Sequence, residues 1–192
     1  MGTSRSAKPL WMQLEPMMRQ SAVDWTIMWR QLAAVLDQHQ QHQGRAGVSG
    51  VQQVDSLPDW KMLEPLQHAF YTPLTERLQR QWVGWVRRWL SQVEEEGSDA
   101  GASADDALMQ TAKQQHLQRV AARMRSASPK YVPREWMLVE AYSAAAAGDY
   151  SVVHRLQELF RAPYEEQSEF AYKYYRRTPE SAQGKGGVAF MS

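Results

Sequence analysis

The segment from residue 128 to residue 164 narrows the possible folds of this chain more than any other. Pro129 and Pro133 bias the residues before them away from the α region, so 127–133 is predicted to be an extended loop. Residues 134–147 are rich in Ala, Leu, Met and Glu, which are good helix formers. The segment therefore predicts a loop that leads directly into a helix.

Signals for a second helix follow at once. Gly148 is suited to end the first helix, Asp149 to cap the next one, and Pro163 to end it. Apolar residues recur at helical spacing between them, namely Val152, Val153, Leu156, Leu159 and Phe160. The two helices are predicted to form a hairpin, a motif that by itself indicates no function.

Apolar periodicity predicts five more helices before the hairpin. They cover residues 9–20, 24–38, 58–71, 72–95 and 104–125, with Asp24 capping the second and Thr72 and Pro73 starting the fourth. The second helix is predicted to bury one face made of Trp25, Met28, Trp29, Leu32 and Leu36. The fourth carries Leu78, Trp82, Trp85 and Trp89 in one stripe, which predicts a deeply packed helix rather than a stacking platform. No strand alternation appears, so the predicted class is all-α, an irregular bundle of about six to seven helices.

Composition shifts predict where this bundle begins and ends. Residues 1–9 are predicted to be a disordered N-terminus and residues 10–174 the helical region. Polar, glycine-containing stretches near 39–55 and 97–104 are predicted to be mobile insertions. Residues 175–192 are predicted to form a flexible tail.

Charge and cysteine content limit the possible chemistry. The net charge is +1, which predicts neither a nucleic acid nor a membrane as partner. The sequence has no cysteine, which removes disulfides, zinc–thiolate sites and thiol nucleophiles. With 43% apolar residues, the chain has enough hydrophobic material for a core.

The residues needed for phosphoryl or nucleotidyl transfer are not recognisable in this sequence. Such chemistry requires a glycine-rich cover and a lysine on the phosphates, metal ligands and a catalytic Asp. The Gly- and Lys-containing stretch 184–187 is not followed by a helix, so it is interpreted as a solvated tail. His39 and His42 lie among glutamines, which favours a polar linker over a metal site. We therefore predict no catalytic, cofactor-binding or metal-binding residue.

One basic cluster is a candidate binding feature. Residues 113–134 contain six basic residues and no acid, and residues 94–106 contain six acids and no base. This segregation is usually a solvated or internally paired surface. Within the basic stretch, Lys130 and Arg134 stand at a predicted helix N-terminus, where a carboxylate from another part of the protein or an anion would dock.

The same residues carry a resemblance to a known family. Ser128 to Glu135 reads SPKYVPRE, which resembles the NPKYVLRN segment of selenoprotein O (SelO) proteins, where an alanine-rich helix, a GD pair, a short helix and a P-[FY] pair follow. We call residues 128–134 the signature loop; besides Val132, its matching positions are Pro129, Lys130, Tyr131 and Arg134. Three positions depart from the pattern, because Ser128, Pro133 and Glu135 replace Asn, Leu and Asn.

Other motifs follow the family in the same order. Residues 24–32 resemble its D-[YW]-T-x-x-F-R-x-L helix, and residues 69–85 its A-F-Y … W-x-x-W helix. Residues 187–192 resemble the last residues before the family's terminal Cys-Ser-Ser or selenocysteine-Ser-Ser. We therefore predict that the natural product continues past Ser192 with that redox tail; a UGA codon at position 193 tests this.

The resemblance implies a role. SelO proteins have a kinase-like fold, use ATP with Mg²⁺ or Mn²⁺ and transfer AMP to hydroxyl side chains of proteins, and in eukaryotes they are typically mitochondrial; a bacterial member would be cytoplasmic. This chain would then be the C-terminal helical extension of such an enzyme, inactive alone and without a cofactor of its own. Its partners would be the missing kinase-like lobe and, through the full enzyme, protein substrates. The alternative is a stand-alone helical interaction module without enzymatic activity.

Overall fold

The computed structural model of this protein describes residues 7–48, 58–98 and 106–183. In these ranges the chain forms α-helices and 3₁₀ helices, and the only strand-like pairing is an isolated antiparallel bridge between Val23 and Phe70. The predicted all-α class is confirmed. No helix within the described ranges is long and apolar enough to cross a membrane.

The helices follow one another in a simple order. They are α1 (Ala7–Gln20), α2 (Trp25–Val48), α3 (Asp59–Met62), a 3₁₀ helix (Glu64–Ala69), α4 (Glu76–Ser98), α5 (Asp106–Ala127), α6 (Glu135–Ala146), α7 (Ser151–Arg161), α8 (Ser168–Tyr174) and a second 3₁₀ helix (Glu180–Ala182). Helix α2 packs against α5 and the first 3₁₀ helix, and α4 packs against α1 and α5. These elements enclose the first of two hydrophobic cores.

The tryptophan stripe of α4 lies in this first core, as predicted. Trp82 and Trp85 are buried, and Trp89 stacks on Trp85 with ring centroids 6.1 Å apart. The polar edges of both buried rings are satisfied, because the indole N–H of Trp82 donates to Ser21 Oγ at 2.8 Å and that of Trp85 to the Leu10 carbonyl at 2.9 Å. The Trp spacing predicts burial well because an apolar face that extends over several helical turns is stable only when it packs against the core.

The predicted burial of one face of α2 is confirmed in the middle of the helix and is wrong at its first residue. Met28, Leu32 and Leu36 are fully buried, whereas Trp25 is 52% exposed. Trp25 makes edge contacts with Trp11 and Trp29, at centroid distances of 5.9 and 5.6 Å. Because Trp25 is the first residue of α2, it contacts Trp11 of α1 at the surface rather than the core.

Several predicted boundaries shift for local reasons. Helix α2 continues to Val48, so residues 39–48 are not an insertion, and His39 contacts Glu94 of α4 at 2.6 Å instead of lying in a linker. The predicted third helix divides at Leu63 into α3 and a 3₁₀ helix, because Pro65 lacks the backbone N–H with which an α-helix would continue. Helix α4 starts at Glu76 rather than at Thr72, because Thr75 Oγ1 accepts the Leu78 N–H at 3.4 Å. Residues 49–57 and 99–105 lie outside the described ranges.

The second core belongs to the hairpin. Gly148 adopts φ = 85°, the left-handed conformation that suits glycine after a helix, and Asp149 Oδ1 accepts the N–H of Ser151 at 2.8 Å. The predicted stop at Gly148 is thus confirmed, whereas the N-cap of α7 is Tyr150 rather than Asp149, which accepts the Ser151 N–H from one residue earlier. The buried residues of this core are Tyr131, Trp136, Met137, Ala141, Val152, Leu156, Leu159 and Tyr174.

The chain does not leave the bundle at residue 174. Tyr175 packs against both hydrophobic cores, Thr178 is buried, and the 3₁₀ helix Glu180–Ala182 follows. The predicted start of the tail is therefore too early, because the partly buried Tyr175 and the buried Thr178 still pack against the bundle. Residues 1–6 and 184–192, which include most of the predicted disordered N-terminus and the segment 187–192 that resembles the end of the family, lie outside the described residues.

Candidate functional site: the signature loop at the junction of two cores

The signature loop runs in extended conformation between α5 and α6 and lies against the segment that follows α7. The backbone N–H groups of Lys130 and Tyr131 both donate to the carbonyl of Pro163, at 2.8 and 3.1 Å. Pro129 and Pro133 favour this extended backbone, as the sequence predicts. The loop therefore presents its side chains to the α7–α8 connection and to the first core at the same time.

Lys130 is buried inside the protein. Its Nζ atom donates to the main-chain carbonyl of Glu166 at 2.7 Å and to Glu166 Oε2 at 2.8 Å. The ammonium also lies 5.5 Å from the Tyr131 ring centroid and 5.1 Å from that of Tyr175. The hydrogen bond from Lys130 is the main reason why the pKa of Glu166 is lowered.

Tyr131 fixes the turn that leads into α8. Its hydroxyl lies 2.8 Å from the Glu166 carbonyl and 2.9 Å from the Gln167 carbonyl. Burial is the main cause that raises the Tyr131 pKa to about 12, so the hydroxyl keeps its proton for these carbonyls. Gln167 adopts φ = 37°, and its side-chain amide donates to the carbonyls of Leu159 at 3.1 Å and Ala162 at 2.7 Å. Side-chain hydrogen bonds thus hold this strained turn.

Arg134 forms a buried, two-pronged ion pair with Asp24. Arg134 Nη1 lies 2.6 Å from Asp24 Oδ2, and Nη2 lies 2.9 Å from Oδ1. Both side chains are almost fully buried. Asp24 Oδ1 also accepts the N–H of Ile27 at 3.0 Å, which confirms Asp24 as the cap of α2.

The expected docking role of Lys130 and Arg134 therefore needs correction. The sequence suggested that these cations receive either a carboxylate from a kinase-like lobe outside this chain or an anion. The structure instead pairs Lys130 with Glu166 and Arg134 with Asp24 inside the chain. The sequence does not show these internal ion pairs, because both acids are far from the loop in sequence and no local pattern links them to it.

Arg30 is a central residue that sequence reasoning missed. Its Nη1 atom donates to the carbonyls of Arg125 at 2.8 Å and Ser128 at 3.0 Å. Its Nη2 atom donates to the Tyr164 carbonyl at 3.0 Å and to Glu166 Oε1 at 2.6 Å. A signal was present, because Arg30 is the arginine of the family-like helix motif at residues 24–32 and is the one charged residue between Trp25 and Leu36. Arg30 holds the end of α5, the loop and the α7–α8 connection together.

These residues form one polar junction between the two cores. We use the term junction for Asp24, Arg30, Lys130, Tyr131, Arg134 and Glu166. A buried ion pair is weak evidence for net stability, whereas the rigid planar fork of arginine holds its partners in a defined geometry. The junction therefore fixes how the hairpin sits on the bundle, and the arrangement has the character of a scaffold.

Comparison with known proteins agrees with the sequence motifs. The chain is 32% identical over 145 residues to a protein nucleotidyltransferase YdiU of Nitrosospira multiformis, covering 74% of this chain and 22% of that protein. It is 32% identical over 126 residues to the YdiU protein of an Azoarcus species, covering 65% of this chain and 21% of that protein. Against the YdiU protein of Flavobacterium johnsoniae it is 28% identical over 181 residues, covering 93% of this chain and 28% of that protein. No family model and no solved structure matches the chain.

Over the residues that the structure describes, the fold and the junction define an all-helical module, and the matches are to proteins named as nucleotidyltransferases. The chain belongs to the SelO family, whose relatives here are named protein nucleotidyltransferase YdiU. It spans between a fifth and a third of the length of these relatives.

Proposed function

We propose that this chain is the C-terminal helical region of a SelO-type protein nucleotidyltransferase, which transfers AMP from ATP to protein hydroxyl groups. The observation that carries the proposal is the match to the Flavobacterium johnsoniae protein, which includes 93% of this chain but only 28% of that protein. Because nearly all of this chain matches only about a quarter of that protein, the match supports a role as one region of a larger protein. In this proposal ATP and its Mg²⁺ or Mn²⁺ are bound by the catalytic lobes, and this chain supports those lobes.

The outer side of the hairpin is the proposed contact with the catalytic lobes. Val139 and Tyr142 of α6 are 48% and 68% exposed, and Tyr150 and Val153 near the start of α7 are 58% and 37% exposed. We infer that these side chains act together, because contiguous exposed apolar patches are typical of surfaces that meet a partner. The opposite side of the hairpin faces the second core, so the whole hairpin would be enclosed in the full enzyme.

The alternative, a stand-alone helical interaction module, has one observation in its favour. Lys130 and Arg134, the cations first expected to meet another lobe, have their acidic partners inside the chain. The junction is thus complete without a further domain. Under this alternative the hairpin surface binds a different protein and the chain takes no part in AMP transfer.

One set of experiments tests the proposal against the alternative. Calorimetry with ATP and Mg²⁺ and a labelled-ATP transfer assay on the 192-residue chain are expected to show neither binding nor transfer. A hybrid in which the chain replaces the matching 145 residues of the Nitrosospira multiformis protein is expected to transfer AMP. Transfer by the isolated chain, or an unstable and inactive hybrid, would contradict the proposal.

A matched pair of variants locates the contact. Tyr142→Ser is expected to weaken assembly of the chain with a separately expressed catalytic part by about tenfold or more, as for a central interface aromatic residue. Tyr172→Ser is the control, because Tyr172 of α8 is 97% exposed and lies outside the hairpin. Equal affinities of the two variants would move the contact away from the hairpin.

The compartment follows from the same proposal. The three relatives described above are bacterial proteins, which favours the cytoplasmic branch of the expectation over the mitochondrial one. Cell fractionation of the source organism with an antibody against this chain tests it. Recovery of the protein outside the cytoplasmic fraction would contradict this part.

A further inference from the structure

Two buried cations of the junction converge on one exposed carboxylate. Arg30 Nη2 lies 2.6 Å from Glu166 Oε1, and Lys130 Nζ lies 2.8 Å from Glu166 Oε2. The side chains of Arg30 and Lys130 are only 6% and 8% exposed, whereas that of Glu166 is 64% exposed. The positive charges are thus fixed inside the protein, and the negative charge that joins them stands at the surface.

Arg30 and Lys130 also make hydrogen bonds that do not involve the Glu166 carboxylate. Arg30 also donates to three main-chain carbonyls, those of Arg125, Ser128 and Tyr164. Lys130 also donates to the main-chain carbonyl of Glu166. Movement of the Glu166 side chain would therefore leave both cations in place, which is the preorganisation that a binding site needs.

The charges around this position do not balance. A cleft of about 270 Å³ opens here, and its charged lining residues are Arg30, Arg125, Lys130 and Glu166. Arg125 is paired with Asp37. Arg30 and Lys130 share the single charge of Glu166, so the charged lining keeps an excess of one positive charge.

We propose that this cleft is a binding site for a phosphate-class oxyanion, which takes the place of the Glu166 carboxylate between Arg30 and Lys130. A phosphate group near neutral pH carries between one and two negative charges and offers three acceptor oxygens. It therefore compensates both cations, which a carboxylate does only in part. Arg30 supplies the planar guanidinium that suits phosphate oxygens, and Lys130 supplies a compact charge. The site is independent of AMP transfer and stands whether or not the proposed function holds.

The test removes the charge of the Glu166 carboxylate, which competes with phosphate for Arg30 and Lys130. Glu166→Gln keeps the shape of the side chain and deletes its charge, so its affinity for inorganic phosphate is expected to exceed that of the natural chain by about tenfold, or about 1.4 kcal/mol. Affinity is measured at constant ionic strength by following amide resonances around residues 128–130 and 164–166. Glu165→Gln is the matched control, because Glu165 is the exposed neighbour and its substitution changes the net charge by the same amount.

The outcomes are distinct. A similar affinity of both variants for phosphate, or no saturable change near the junction, would overturn the proposal. If Glu166→Gln does not fold, the natural chain is titrated with phosphate instead. Phosphate is then expected to stabilise the chain saturably and more than chloride does. The absence of this stabilisation would likewise overturn the proposed site. Methyl phosphate is used as a second probe in either case. Binding of both probes indicates a phosphate carried by a larger molecule, and binding of inorganic phosphate alone indicates the free anion.

Discussion

Arg134 and Asp24 join the two cores of the protein through a buried, two-pronged ion pair with N–O distances of 2.6 and 2.9 Å. Asp24 immediately precedes α2 and Arg134 immediately precedes α6, so the pair connects the starts of these two helices. Because each charge is removed from water, neither partner tolerates loss of the other. This relationship gives the clearest prediction about stability.

Asp24→Asn is expected to destabilise the protein by about 3–5 kcal/mol, the usual cost of leaving a buried charge without its partner. Asn also caps helices well, so the bond to the N–H of Ile27 is retained and the effect reports the charge. Chemical denaturation measures it. The control is Glu15→Gln, which breaks the exposed Glu15–Arg19 pair and is expected to cost less than about 1 kcal/mol. Similar losses in both variants would show that the buried pair is not special.

Trp85→Ala is expected to cost about 3–5 kcal/mol, because the ring is almost fully buried and its removal leaves a cavity in the first core. The substitution also leaves the Leu10 carbonyl without its indole donor. Trp60→Ala removes the same atoms from a site that is 59% exposed, so a loss below about 1 kcal/mol is expected there. Thermal and urea unfolding compare the two. A loss below about 1 kcal/mol for Trp85→Ala would contradict the packing described above.

Stability is expected to fall in acid partly through Glu94. The hydrogen bond from His39 is the main reason why the Glu94 pKa is lowered from 4.5 to about 2, and Gln43 and Lys113 add to the effect. Since the folded pKa lies below the unfolded one, the contribution is complete above the unfolded pKa and is lost as the pH falls towards the folded one.

Unfolding measured from pH 6 to pH 3 checks the role of Glu94. Glu94→Gln is expected to lose less stability than the natural chain over this interval, because it has no proton to take up. Glu95→Gln, at the exposed neighbouring position, is expected to follow the natural chain. Parallel curves for Glu94→Gln and the natural chain would contradict the lowered pKa.

Two glycines of α4 are expected to respond in opposite ways to alanine. A Cβ atom at Gly97 would lie 2.8 Å from Cδ2 of His116 and 3.2 Å from its Cβ atom, so Gly97→Ala forces α4 and α5 apart and is destabilising. At Gly84 the nearest atom is Nη1 of the Arg88 side chain at 3.4 Å, which can move. Gly84→Ala is therefore expected to stabilise the protein by about 0.5–1 kcal/mol. A stabilising Gly97→Ala would show that His116 moves away at no cost.

Local patterns predicted most of the helices but not the junction. The Trp82–Trp85–Trp89 stripe and the Gly148 corner depend on residues that are close in sequence, so the periodicity and the helix-stop signals were enough. Lys130 and Arg134 are correctly placed in a loop before a helix, yet their burial depends on Glu166 and Asp24, which are 36 and 110 positions away. No spacing rule reaches that far in a single sequence. The helix over residues 39–48 was not predicted from their polar composition for a related reason. His39 and Gln43 form hydrogen bonds with Glu94 of α4, which is distant in sequence.

The long spans closed by Arg30 have a consequence for how the chain is made. Its acceptors lie 95 to 136 positions further along the chain, so they leave the ribosome long after α2 has done so. Until then Arg30 of α2 and Asp24, the residue just before α2, lack the partners that will later enclose them, and both are best kept in water. The first helices should therefore stay loosely assembled during synthesis, and close packing should come in one step when the segment around residue 166 arrives.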